Sequence, residues 1–170
     1  MYALSKEYSK IPNDWDRSGL PAWSFFNKEM FEAEKDLFFR RHWQLICHSN
    51  DIPNTGDFVT WDLIGERALV IRGADGKVRA FHNLCTHRGS RVLAAEAGNC
   101  RSAITCPFHG WTYNLDGTLR GAAQPSSLPS LDPVKYGLPL LEMDIWNGFI
   151  FVRFQPCLLY TSDAADDLRG

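Results

Sequence analysis

"CPFHGWTYNLDG", residues 106–117, sets a cysteine and a histidine three positions apart, with Pro107 behind the cysteine and Gly110 behind the histidine. A Cys/His pair this tight has metal-ligand spacing, and the same letters fit a zinc knuckle, an iron centre or a thiol-based active site. Upstream, "CTHRGS", residues 85–90, holds a second such pair, so the full pattern is Cys85-x-His87, 18 residues, then Cys106-x-x-His109. Each half offers one soft thiolate and one imidazole. On neighbouring loops the halves make a set of two sulfurs and two nitrogens. That set suits tetrahedral zinc, or a [2Fe-2S] centre with one Cys-ligated and one His-ligated iron.

The surroundings separate these two. A zinc finger pairs Cys with Cys in one knuckle and His with His along a helix, whereas both halves here are mixed and lie between strand-like runs. Gly89 follows His87 by two residues and Gly110 follows His109 directly. Glycines permit tight turns with positive φ and close approach of backbone N–H groups. Such donors matter to an iron-sulfur centre, because hydrogen bonds to its sulfurs and its burial set the reduction potential. Pro107, Phe108, Trp111 and Tyr113 are expected to cover the site, with one hydroxyl aimed at a sulfur.

Outward from the motifs the pattern is that of strands. "WQLICH", "DFVTWDLI", "ALVIRG", "VRAFHN", "SAITC" and "WTYNL" are short apolar runs punctuated by Gly56, Gly65, the "GADGK" turn and Asp116-Gly117. "LEMDIW-NG-FIFVRF" predicts a hairpin turning at Asn147-Gly148. Many short strands with no helices between them predict a mainly β fold, a small antiparallel sandwich or barrel. Residues 121–139, with their prolines and serines, read as a long irregular connection that is either functional or disordered. Before the strands, Asn27 is a plausible N-cap for a helix over 28–41. That helix aligns Met30, Ala33, Leu37 and the stem of Arg41 near one stripe, with Phe31 and Phe38 beside it as a buried packing face.

Composition excludes several classes. The chain has 170 residues, 45% apolar and 22% charged, with 18 basic against 20 acidic residues and no Lys/Arg block. That is globular material with no nucleic-acid surface. No stretch approaches the ~20 apolar residues needed to span a bilayer, and no apolar leader is visible, so a soluble cytoplasmic protein without a membrane partner is expected. The five cysteines, odd in number and scattered, read as thiols or ligands rather than disulfides. Cys47 and Cys100 sit in strand-like runs and are expected to be buried thiols. His42, His48 and His82 are expected to make ordinary polar contacts, and His82 stands close enough to Cys85 to support its loop. Arg88 and Arg91 flank that loop, either as solvated charges or as a docking edge for an acidic partner.

Cys85-Thr86-His87-Arg88-Gly89 and Cys106-Pro107-Phe108-His109-Gly110-Trp111 resemble the two cluster-binding loops of the Rieske family. The resemblance implies a Rieske-type antiparallel β-sandwich carrying a [2Fe-2S] cluster. Cys85 and Cys106 would hold its inner iron, and His87 and His109 the outer, more accessible one. Respiratory-complex Rieske proteins carry a further cysteine in each loop, where Ser90 and Phe108 stand here. Small Rieske ferredoxins would begin near Trp43. The lead from residue 20 and the run on to Ser90 are instead similar to the start of the large subunit of Rieske non-haem iron oxygenases of the ring-hydroxylating type.

That resemblance divides the chain into a lead over residues 1–42 and a Rieske domain over 43–156. Residues 157–170, beginning "CLLYTSDAADD", are similar to the translation of a sequencing adapter and are expected to be non-native. The C-terminal catalytic domain, with its mononuclear Fe(II) on two histidines and a carboxylate, would lie outside the chain. No catalytic residue is therefore expected here. The implied function is to relay electrons from a ferredoxin or flavin reductase to that iron, for O2-dependent hydroxylation or demethylation; the family handles both aromatic rings and N-methylated amines, and the pocket that selects between them would lie in the catalytic domain. The family resemblance also implies a homo-oligomer, commonly a trimer. The alternatives are a stand-alone electron carrier and a zinc-stabilised binding module.

Overall fold

The structure is a computed structural model that describes residues 19–122 and 131–155. The start of the lead, part of the proline-rich connection and the adapter-like tail lie outside the described residues. Among the described residues, ten strands follow a short helical lead: β1 Gln44–His48, β2 Asp57–Leu63, β3 Glu66–Arg72, β4 Val78–His82, β5 Ala97–Asn99, β6 Ile104–Thr105, β7 Thr112–Tyr113, β8 Leu119–Gly121, β9 Glu142–Trp146 and β10 Phe149–Arg153. They pair antiparallel in three sheets, ordered β1-β10-β9, β4-β3-β2-β5 and β6-β7-β8. This is the mainly β architecture expected.

The middle sheet explains the unbroken "ALVI" run. Along β3 the side chains alternate between two cores: Leu69 and Ile71 join Phe58, Phe81, Ile104 and Tyr113 on one face. Ala68 and Val70 join Ala80, Ile150 and Val152 on the other. A strand buried on both faces reads as a continuous apolar run rather than an alternating one. The first core lies under the motif-bearing sheet β6-β7-β8 and contains Cys85 and Cys106.

The β9–β10 hairpin turns where expected, with Asn147 at φ 48° and Gly148 at φ 84°, as a two-residue turn with both centres left-handed requires. Two strands, β5 and β8, carried no readable signal: each has three residues, and of these Leu119 alone is buried.

The lead departs from expectation. Asn27 caps α1, Lys28–Glu34, its side chain accepting from the Met30 N–H at 2.8 Å. From Lys35 to Phe39 the helix becomes a π-helix, closed by the Arg40 N–H donating to the Lys35 carbonyl at 3.0 Å. The extra residue in that turn rotates the residues after it by about 100° relative to an α-helix, so the stripe expected from Met30 to Arg41 is broken. Ala33 is buried, whereas Phe31, Leu37 and Phe38 are exposed, which corrects the expected packing face. The turn swings Arg40 onto Glu66 of β3 at 2.7 Å while it also pairs with Asp36. No helix among the described residues is long and apolar enough to cross a membrane.

Candidate metal-cluster site

The two motif loops are folded alike. In the first, the Cys85 N–H donates to the Ser90 carbonyl at 2.7 Å and the Gly89 N–H to the Cys85 carbonyl at 2.8 Å. In the second, the Cys106 N–H donates to the Trp111 carbonyl at 2.8 Å and the Gly110 N–H to the Cys106 carbonyl at 3.0 Å. Each loop needs a left-handed residue four positions after its cysteine, and Gly89 and Gly110 both stand there at φ 68°. The equivalence is masked in the sequence because His87 sits two residues after its cysteine and His109 three.

This folding brings all four expected residues together. Cys85 and Cys106 are each 2% exposed, while both histidines are half-buried. The imidazole rings meet edge to face with centroids 4.7 Å apart. The Nδ1 atoms of His87 and His109 are buried without any hydrogen-bond partner. Buried polar atoms are almost always satisfied, so two orphans side by side mark a place where something else bonds. Because each ring is half-exposed while its Nδ1 is buried, the opposite edge is the one that reaches solvent.

Burial is the main force raising the Cys85 thiol pKa, opposed by the Tyr113 hydroxyl and reinforced by Cys106. Two neighbouring buried thiols become thiolates most readily when a metal takes the proton's place. Desolvation, then the charges of His109 and Arg88, lower the pKa of His87, favouring the neutral imidazole that metal binding needs. Among the described residues no group of three or more His, Cys, Asp or Glu is placed to hold a metal ion. Two sulfurs and two nitrogens carried on mixed Cys/His loops suit a two-iron cluster with one Cys-ligated and one His-ligated iron.

Aromatic rings enclose the pair. Trp111, itself buried, stacks on His87 with centroids 5.0 Å apart and planes 7° from parallel, and it meets Tyr136 edge-on at 6.3 Å. Phe108, 63% exposed, lies against His109 at 4.1 Å. The expected hydroxyl is that of Tyr113, 3.1 Å from Cys85 Sγ. Thr86 and Tyr136 are additions the sequence did not announce: the Thr86 hydroxyl donates to the Tyr136 carbonyl at 2.7 Å, which brings the end of the proline-rich connection over the first loop.

The remaining candidates fall outside the site. Cys47 and Cys100 are partly buried thiols pushed up to about 11 by desolvation. His48 caps a turn by accepting from the Asn50 N–H, His42 stacks on Phe38, and His82 packs near Phe154. Arg91 pairs with Asp62, and Arg88 is exposed.

Comparison with known proteins agrees with this geometry. Residues 42–132 match the model of the Rieske [2Fe-2S] domain, and the chain belongs to that family. It is 36% identical over 137 residues to the carnitine monooxygenase oxygenase subunit of Escherichia coli K12, covering 81% of this chain and 36% of that protein. It is 37% identical over 151 residues to the chloroplastic choline monooxygenase of Atriplex hortensis, covering 88% and 34%. Among solved structures, it resembles the apo form of a quaternary ammonium Rieske monooxygenase with a TM-score of 0.77 at 32% identity, covering 89% of this chain and 43% of that one. It also resembles naphthalene 1,2-dioxygenase from Rhodococcus sp. with a TM-score of 0.77 at 30% identity, covering 88% and 34%. The chain thus spans little more than a third of the curated relatives it matches.

Proposed function

We propose that Cys85, His87, Cys106 and His109 hold the [2Fe-2S] cluster and that the chain is the electron-relaying domain of an oxygenase. The observation that carries this reading is the pair of buried, unpartnered Nδ1 atoms beside two buried thiols. When bound, a cluster of this kind accepts and releases single electrons. The chain's own residues do the rest. The buried cysteines supply the inner ligands. Trp111 and Tyr113 keep water from that side, and the exposed histidine edges leave a short path to a partner.

The division proposed is a lead over 1–42, a Rieske domain over 43–156, supported by the family match over 42–132, a non-native tail from 157, and a catalytic domain in the longer protein, supported by the greater length of the relatives. In that longer protein, a ferredoxin or flavin reductase would supply electrons for O2-dependent hydroxylation or demethylation at a mononuclear non-haem iron. The names of its carnitine, glycine betaine and choline monooxygenase relatives support a quaternary ammonium substrate. A cytoplasmic homo-oligomer, a trimer by family likeness, completes the proposal.

The test is anaerobic expression of the chain, with iron, sulfide and zinc analysis beside the EPR spectrum of the reduced protein. Two irons and two sulfides per chain are expected, with an average g below that of all-cysteine clusters and a signal lost in His87→Ala and in His109→Ala. Stoichiometric zinc without sulfide would overturn the assignment.

A further inference from the structure

Beyond their shared inner closure, the two loops are held shut by different means. Two residues before and seven after its cysteine, the second loop has Ile104 and Tyr113, which pair across the β6–β7 ladder. The same offsets in the first loop fall on Asn83 and Val92, which belong to no common ladder. The Asn83 side chain spans the gap instead. Its Oδ1 accepts from the Val92 N–H at 3.2 Å and the Leu93 N–H at 3.0 Å, and its Nδ2 donates to the Leu93 carbonyl at 2.7 Å. Its own backbone N–H donates to the Arg67 carbonyl of β3 at 2.9 Å.

Asn83 is the one buried polar residue among the described residues, at 0% exposure. A carboxamide carries the donor and acceptor of a peptide group on a side chain, and three of its four hydrogen-bonding positions are filled here. An apolar residue of similar size would leave the Val92 N–H, itself buried, without an acceptor, a loss larger than the net value of the bond. The metal-ligand role of the loops asks more of Asn83 than fold stability, because the loops must present their donors in register before anything bridges them.

We infer that Asn83 is a positioning residue: its carboxamide replaces a strand pairing and holds the loop of Cys85 and His87 in register with the loop of Cys106 and His109. The cluster-directed part of this role rests on the ligand assignment proposed above; the loop-closing part does not.

The test compares the 170-residue chain with its Asn83→Ala and Asn83→Asp variants, first metal-free by amide hydrogen exchange, then after reconstitution with iron and sulfide. In metal-free Asn83→Ala, the Cys85 and Gly89 amides are expected to exchange about tenfold faster or more, while those of Cys106 and Gly110 stay as in the parent. Asn83→Asp, compared with the parent at acidic pH, keeps the acceptor oxygen and in its protonated carboxyl a donor for the Leu93 carbonyl, and is expected to retain first-loop protection. Equal acceleration in both loops, or none in the first, overturns the inference. If Asn83→Ala does not fold, Asn83→Asp decides alone at that acidic pH: a protected first loop supports the role, an unprotected one overturns it. After reconstitution, Asn83→Ala is expected to hold less iron and sulfide and to give broadened EPR lines, and a full load with parental g-values overturns the inference. A parent chain that takes up no cluster while the exchange contrast stands removes the ligand assignment and leaves the loop-closing role in place.

Discussion

Tyr113 stands with its hydroxyl 3.1 Å from Cys85 Sγ, 3.0 Å from Thr86 Oγ1 and 3.2 Å from the Thr86 N–H. The amide must donate to it, and the Thr86 hydroxyl proton is committed to the Tyr136 carbonyl. The phenol proton is therefore left for Cys85 Sγ or Thr86 Oγ1. Desolvation raises the pKa of Tyr113, with the hydrogen bond to Cys85 adding to it, so that proton stays on through the neutral range. A donor to a ligand sulfur favours the electron-rich reduced state. Tyr113→Phe is accordingly expected to lower the reduction potential by roughly 40–60 mV, about 1 kcal/mol for one electron, as read by spectroelectrochemical titration. An unchanged potential would place the proton on Thr86. That a hydroxyl would reach a sulfur was legible from "WTYNL". Its dependence on Tyr136 was not, because nothing local in the sequence marks a backbone carbonyl that arrives from a distant loop.

Among the elements, the Asp116-Gly117 turn joins β7 to β8, and its tightness has two sources. Gly117 holds φ 88°, and a Cβ there would overlap the Phe81 ring of the first core. Gly76, in the β3–β4 turn, has φ 77° but open space around it. Gly117→Ala is expected to destabilise by roughly 2–4 kcal/mol, and Gly76→Ala by about 1 kcal/mol, as left-handed strain alone predicts. Thermal or urea denaturation measures both, and equal losses would show that Phe81 yields freely. The longer strands and both turns were readable because burial imposes a period and a glycine marks each reversal. The π turn at Lys35 was not, because the contact it serves joins Arg40 to Glu66, 26 residues away in the sequence. β5 and β8 escaped notice because three residues with at most one buried side chain show no period.

Among the described residues, two groups of exposed apolar side chains bear on association. Phe25 and Phe26 of the lead are 76% and 74% exposed. On the outward face of the β1-β10-β9 sheet, Leu45, Phe149 and Trp146 stand clear of the core. Monomeric proteins seldom show contiguous apolar patches of this kind. The isolated chain is therefore expected to self-associate and to bind a hydrophobic dye. Trp146→Ser with Phe149→Thr should lower both while changing stability by no more than about 1 kcal/mol, as followed by light scattering and dye fluorescence beside denaturation. Dye binding unchanged by the double substitution would locate the sticky surface in the lead.

Phe108, tilted over His109 and largely bare to water, gives the exposed imidazole edge a hydrocarbon lip. A molecule approaching that edge gains attraction at contact, as water leaves the phenyl face, and meets the positive charge of Arg88, exposed beside His87. The salt dependence of encounter there reports on Arg88, and an approach driven by Phe108 alone would show association rate constants in the unsteered range of about 10⁵–10⁶ M⁻¹ s⁻¹ at every ionic strength.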